Sequence, residues 1–195
     1  DASKITTLEK EGAGKPVKGF TALNDFLASL SSPKVIMMLV PAGKIVDNVI
    51  DELCPLLSKG DIIIDGGNSH FTDTTARVSR LEEKGLHFFG MGVSGGEEGA
   101  RRGPSMMPGG DTHAYQYMQP VFEKIAAKVN GEPCVAYIGP GASGHFVKMV
   151  HNGIEYALMQ LIADAYEIMR RSLQLSNEEI RSVFADWNNG RLQSY

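Results

Sequence analysis

Lys148, His151, Asn152 and Glu155 stand at i, i+3, i+4 and i+7 within the run GHFVKMVHNGIEY. At about 100° per residue a helix gathers these four into one narrow stripe, with Phe146, Val150, Ile154 and Ala157 opposite. A desolvated lysine can act as a general base, and a carboxyl group nearby as a general acid. Two turns separate Lys148 from Glu155, roughly 10 Å along the axis, with an imidazole and an amide between them to hold a polar ligand. A stripe of this kind is ordinarily a solvated face. Here it continues as Met159, Ile162 and Tyr166, which predicts burial, with the first two turns facing a cleft. Burying four such groups together is costly unless they are paired or act on a ligand.

Two further segments carry groups suited to binding. Asp65-Gly66-Gly67-Asn68-Ser69 follows the apolar run DIIID. Taken alone it is a plain turn, but ligands of open α/β sheets bind at the carboxyl ends of strands, which favours Asn68 as a contact. Val93-Ser94-Gly95-Gly96 follows the next apolar run, and the stretch up to Gly110 holds six more glycines and prolines. Small residues let backbone N–H groups approach an anion. No G-K-[ST] follows, so this is not a P-loop. Arg101 and Arg102 are read as surface charge. Gly139-Pro140-Gly141-Ala142-Ser143-Gly144 matches G-x-G-x-x-G between a strand and a helix. The next element is a long helix and then another helix, not a second strand ending in an acidic residue. A hinge between domains is therefore preferred to a dinucleotide cradle.

The elements that must position these groups alternate. Residues 34–40 (KVIMMLV), 61–65, 86–91 and 133–138 read as strands. Helical spacing recurs from Leu23 to Leu30, from Val46 to Leu57 and over 72–84, with a helix over 111–129 split at Pro120. Continuous apolar strands between helices predict a parallel sheet covered on both faces. After Gly144 the alternation stops: one helix is expected from His145 to Ser172. A second is opened by the capping box Ser176-Asn177-Glu178-Glu179 and closes near Gly190. The expectation is α/β followed by all-α: residues 1–143 form an incomplete, Rossmann-like doubly wound sheet, and residues 144–195 the first helices of a helical domain.

Composition excludes several functions. The 195 residues are 43% hydrophobic and 22% charged with a net charge of −4. These values are globular and give no basic field for nucleic acid or an anionic membrane. No apolar run is long enough to span a bilayer, and no signal-peptide pattern is present. Cys54 and Cys134 are the two cysteines; they form no metal spacing and suit a reducing compartment, so a cytoplasmic location is expected. The chain starts at Asp1 and its helical part is short, so a piece of a longer protein is expected.

DIIIDGGNS at 61–69, GVSGGEEGARRGPSMMPGG at 92–110, GHFVKMVHNGIEY at 144–156 and WNNG at 187–190 together resemble the 6-phosphogluconate dehydrogenase family. These are the decarboxylating enzymes of the pentose phosphate pathway, within the β-hydroxyacid dehydrogenase superfamily. The resemblance implies Lys148 as base and Glu155 as acid. It implies substrate contacts at Asn68, Ser94, Gly95, Gly96, His151, Asn152 and Tyr156. It implies NADP contacts at Val40, Pro41, Ala42, Gly43 and Asn68, although a lysine is common in the family at the place of Pro41. Ala142 stands where the family usually has glycine. Family members are more than twice this length, with a nucleotide-binding turn before these residues and most of a helical domain after them, so this stretch alone is expected to be inactive.

The implied reaction oxidises 6-phosphogluconate at its 3-hydroxyl with reduction of NADP, releases CO2 and protonates the enediol at C1 to give ribulose 5-phosphate. No metal is implied, because the ketone serves as electron sink. A homodimer is implied for the full-length enzyme. Two alternatives remain at this point: a non-decarboxylating 3-hydroxy acid dehydrogenase, and a non-catalytic fragment. NADP against NAD preference is left open.

Overall fold

A computed structural model describes residues 2–193 of the chain. In chain order the elements are α1 (Ala2–Glu11), α2 (Leu23–Ala28), β1 (Val35–Met38), α3 (Lys44–Leu53), a 3-10 turn at Cys54–Leu56, β2 (Ile62–Asp65) and α4 (Phe71–Glu82). There follow β3 (His87–Ser94), α5 (Gly96–Arg102), β4 (Ser105–Gly110), α6 (Thr112–Ile125), β5 (Lys128–Val129) and β6 (Glu132–Pro133). The last are α7 (Ser143–Glu167), a π-helical turn at Ile168–Ser172, and α8 (Asn177–Asn188). The chain divides into two compact units, one up to Met149 and one from Val150.

In the first unit the main sheet has the order β1-β2-β3-β4, with β1, β2 and β3 parallel. Successive residues of β2 and β3 point to opposite faces, and each face has its own core. Ile63 and Phe88 pack with Leu27, Val46, Ile50, Leu53, Val78 and Leu81 of α2, α3 and α4. Ile62, Ile64, Phe89 and Met91 pack with Ala114, Tyr115, Met118 and Phe122 of α6. Each fully buried side chain of this size contributes roughly 1.5–3 kcal/mol. The apolar runs of the sequence are strands because both their faces are covered, as a doubly wound sheet requires.

Three sequence expectations are corrected. The sheet is not wholly parallel: β4 runs antiparallel to β3, from Phe89↔Gly110 to Ser94↔Ser105. The ten residues between Ser94 and Ser105 are too few for a parallel crossover, which needs a dozen or more. The glycine-rich stretch supplies α5 and β4. Residues 133–138 are not a full strand. Val135 and Gly139 make single parallel bridges to Met106 and Gly109, and the Ile138 N–H donates to the Pro108 carbonyl at 2.9 Å. Finally, α6 passes through Pro120 unbroken. Pro120 lies on the exposed side, where water can satisfy the freed carbonyl, while the buried stripe of Ala114, Tyr115, Met118 and Phe122 holds both halves.

In the second unit the π-helical turn ends the long helix within the expected span, and α8 is opened by the capping box. The Glu179 N–H donates to Ser176 Oγ at 3.3 Å, and the Ser176 N–H donates to the Glu179 carboxylate at 2.8 Å. Among the described residues no helix is long and apolar enough to cross a membrane.

Candidate active site

The carboxyl ends of the three parallel strands carry three of the expected ligand segments. Val40, Pro41, Ala42 and Gly43 follow β1, Gly66 to Ser69 follow β2, and Ser94, Gly95 and Gly96 close β3 and open α5. Asn68, Pro41, Ala42, Gly95 and Gly96 are exposed, so their polar atoms are open to a ligand. Arg101 and Arg102 pair with Glu97 and Glu98 one turn earlier on the surface of α5.

Lys148 reaches this edge because glycines let the first turns of α7, up to Lys148, lie directly on the sheet. A Cβ on Gly144 would stand 2.2 Å from both the Gly90 and Met107 carbonyl oxygens. A Cβ on Gly109 would meet the Gly144 nitrogen at 2.3 Å, and one on Gly92 would meet Lys148 Cβ at 2.6 Å. Nothing larger than hydrogen fits at any of these contacts. Lys148 is thereby pressed against β3 two residues before Ser94, and it is 8% exposed.

His145, one turn earlier on α7, is 1% exposed and sits over Gly90. Its Nε2 lies 3.1 Å from the Asp65 carbonyl oxygen and its Nδ1 2.7 Å from the Thr74 hydroxyl. The neutral ring satisfies both, with Nε2–H donating to the carbonyl and Nδ1 accepting from Thr74. Burial lowers the His145 pKa from its ordinary 6.5, although the charge and backbone carbonyl of Asp65 act the other way. The unfolded chain therefore takes up a proton that the fold refuses. Stability should be full above pH 6.5 and fall as the pH drops from there toward the lower folded value. Urea midpoints at pH 7.5 and 5.5 test this: the wild type should lose stability between them, and His145→Gln should lose distinctly less. Equal losses would refute it.

Beneath the first two loops lies a buried ionic network that the sequence reading missed. Asp65 is fully buried and Arg77, on α4, is 4% exposed. Asp65 accepts from the Gly67 N–H at 3.0 Å and from the Ser69 hydroxyl at 2.6 Å. Arg77 donates from Nε and Nη2 to the two carboxylate oxygens of Asp47, at 2.7 and 3.1 Å. It also donates to the Gly43 carbonyl at 3.1 Å and to Ser69 Oγ at 3.2 Å. The hydrogen bonds from Arg77 hold the Asp47 carboxyl below its usual range, against a smaller opposing effect of burial. The available signal was an acidic residue, Asp65, at the end of an otherwise apolar strand.

The remaining stripe residues belong to the second unit. His151 Nδ1 lies 3.3 Å from Asn152 Oδ1 and 3.6 Å from Glu155 Oε2. These side chains are half-exposed, Tyr156 is 69% exposed, and Met159, Ile162 and Tyr166 are exposed as well. The expected burial of the stripe therefore holds at Lys148 and not beyond it. From Val150 onward Ile154, Leu158 and Leu161 are exposed apolar residues that lie beside the stripe residues Met159, Ile162 and Tyr166. The apolar residues of this half of the helix extend well beyond one narrow stripe, with Gln160, Asp164 and Glu167 on the remaining side, so the continuation of the stripe did not mark a single buried face. No group of three or more His, Cys, Asp or Glu side chains arranged for a metal occurs among the described residues.

A sheet with helices on both faces and ligand segments at its carboxyl edge defines a Rossmann-like domain of the dinucleotide-binding class. Residues 1–139 match the family model for the NAD binding domain of 6-phosphogluconate dehydrogenase, and residues 144–195 match that for the 6-phosphogluconate dehydrogenase C-terminal domain. The chain belongs to the 6-phosphogluconate dehydrogenase family. It is 51% identical over its whole length to the NADP(+)-dependent, decarboxylating 6-phosphogluconate dehydrogenase of Bacillus subtilis, covering 41% of that protein. It is 54% identical over 93% of its length to the NAD(+)-dependent, decarboxylating enzyme of the same organism, covering 39% of it. A solved 6-phosphogluconate dehydrogenase from Plasmodium falciparum superposes with a TM-score of 0.92 at 43% identity. That match covers 99% of this chain and 41% of the other, which is described in its apo form and in complexes with its cofactor NADP+ and its substrate 6-phosphogluconate. The chain thus spans about two fifths of the length of the relatives it matches.

Proposed function

We propose that the protein containing these residues oxidatively decarboxylates 6-phosphogluconate to ribulose 5-phosphate and CO2 with reduction of NADP. The observation that carries this is Lys148, buried against Gly92 at the carboxyl edge where Asn68 and Ser94-Gly95-Gly96 lie. Lys148 removes the proton of the 3-hydroxyl and, once protonated, polarises the ketone formed there. Asn68, Ser94, Gly95, Gly96, His151, Asn152 and Tyr156 bind the sugar acid. Glu155 delivers a proton to C1 of the enediol after CO2 leaves.

Val40, Pro41, Ala42, Gly43 and Asn68 fit a dinucleotide, because the loop leaves open space at Gly43, where φ is +87° and nothing lies within 4 Å of a Cβ position. NADP supplies the hydride acceptor there. The chain is similarly identical to NADP- and NAD-dependent relatives, so overall identity does not decide between the two. NADP is favoured by the complex of the solved relative. The proposal includes a domain boundary between residues 143 and 144, supported by the change of matching family model. It includes a homodimer, supported by the exposed apolar residues of α7. A cytoplasmic location is supported by the two free cysteines, Cys54 and Cys134.

The test is NADPH and CO2 formation from 6-phosphogluconate by a family-length protein carrying this sequence; NADPH without CO2 would point instead to a non-decarboxylating 3-hydroxy acid dehydrogenase. Glu155→Gln refines it. In single turnovers in deuterated water, hydride transfer should stay near wild type, while label entry at C1 should slow by about 10²-fold or more. Normal label entry at a normal rate would make Glu155 a structural residue.

A further inference from the structure

We infer that Arg77 is a positioning residue that ties the 40–43 loop to the 66–69 loop and thereby governs how well the cofactor is held. The inference rests on the proposed NADP site, and it concerns a residue outside that site. Three features carry it. Arg77 is buried on α4, whose Val78 and Leu81 belong to an apolar core, and a buried ion pair at such a place is seldom the most stabilising choice. Its contacts converge on loop atoms: the Gly43 carbonyl on one side, and Ser69 with Asp65 on the other. Asp65 passes the restraint on through the Gly67 N–H, next to Asn68. Asp47, one turn into α3, clamps the outer edge of the guanidinium.

Only a planar fork can serve these opposed acceptors together; a lysine has one compact head and reaches one of them. The spacing between loops matters because a ligand bridging both loses affinity when either drifts, by the logic of preorganisation. Arg77 touches neither ligand, so its effect should fall on cofactor capture and not on the chemical step.

The test uses a family-length protein with this sequence and reads NADPH affinity by fluorescence titration, alongside KM for NADP and kcat. Arg77→Lys should weaken NADPH binding and raise KM for NADP by about tenfold or more, as expected for losing hydrogen bonds to charged and buried partners. The value of kcat should change far less. Asp47→Asn, which retains Arg77 and its inner contacts, should give a smaller weakening in the same direction and carries the test if Arg77→Lys does not fold. Leu81→Val, a core change one turn along α4, should lower thermal stability and leave NADPH affinity unchanged. Wild-type NADPH affinity in the folded variants would overturn the inference, as would equal weakening by Leu81→Val. Wild-type protein that binds NADPH but does not oxidise 6-phosphogluconate would overturn the proposed function alone, since the titration needs no turnover.

Discussion

In a family-length protein carrying this sequence, Lys148→Met should abolish the proposed oxidation while leaving the fold intact. Methionine matches the length of the lysine side chain and is more at ease in a setting where only 8% of the residue is exposed. In the proposed mechanism, removal of the amine leaves no base for the 3-hydroxyl and no cation for the ketone that follows. Losing one positioned acid–base group typically costs about 10²–10⁴-fold, so hydride transfer in stopped flow should slow at least that much. NADPH affinity should stay near wild type, because the proposed cofactor segment 40–43 lies after a different strand. Oxidation at more than a tenth of the wild-type rate would remove Lys148 from the base role.

Gly144→Ala should be the most damaging single methyl group in the first unit. The added carbon would lie 2.2 Å from two carbonyl oxygens and 2.7 Å from the Gly109 nitrogen, all of them backbone atoms that cannot rotate away. The helix must lift from the sheet or the strands must part. Overpacking costs typically 1–3 kcal/mol where side chains can yield, and here about 3 kcal/mol or more is expected. For a chain of this size that corresponds to a fall in Tm of about 6–12 °C. Gly153→Ala supplies the contrast: it lies in α7 with nothing within 4 Å of its Cβ position. There alanine should raise stability by up to about 1 kcal/mol through helix propensity. Thermal unfolding of the two variants checks both signs, and a Gly144→Ala protein as stable as wild type would refute the close docking of α7.

Much of the scaffold was legible because its signals are local. The apolar runs at β1, β2 and β3 and the capping box at Ser176 each declare themselves within a few residues. What failed depended on partners outside the segment itself. The run SMMPGG becomes β4 only because β3 offers it an antiparallel ladder, against the poor strand preference of proline and glycine. Residues 133–138 looked the better strand and obtained only single bridges to β4, at Met106 from Val135 and, just beyond, at Gly109 from Gly139. α1 has no buried residue and so left no stripe to read. At the candidate site the residue types of the stripe pointed to Lys148. The glycine contacts that press it onto β3, the bonds from Arg77 to Asp47 and Gly43, and the contacts of His145 join residues 30 to 80 apart along the chain.

The antiparallel return of β4 also bears on the order in which the molecule assembles. Paired residues of β3 and β4 are 11 to 21 apart in sequence, against 25 for β2 with β3 and 27 for β1 with β2. Closing shorter loops costs less chain entropy, and local pairings form sooner. The β3–α5–β4 turn-back should therefore nucleate the sheet, and pulse-labelled hydrogen exchange should find its amides protected before those of β1. Simultaneous protection of β1 and β4 would argue against this. Gly90, Gly92 and Gly109, on which α7 comes to rest, all belong to that early hairpin. The anvil would then be forged before the hammer arrives: the lysine-bearing helix docks onto a finished surface and has no part in shaping it.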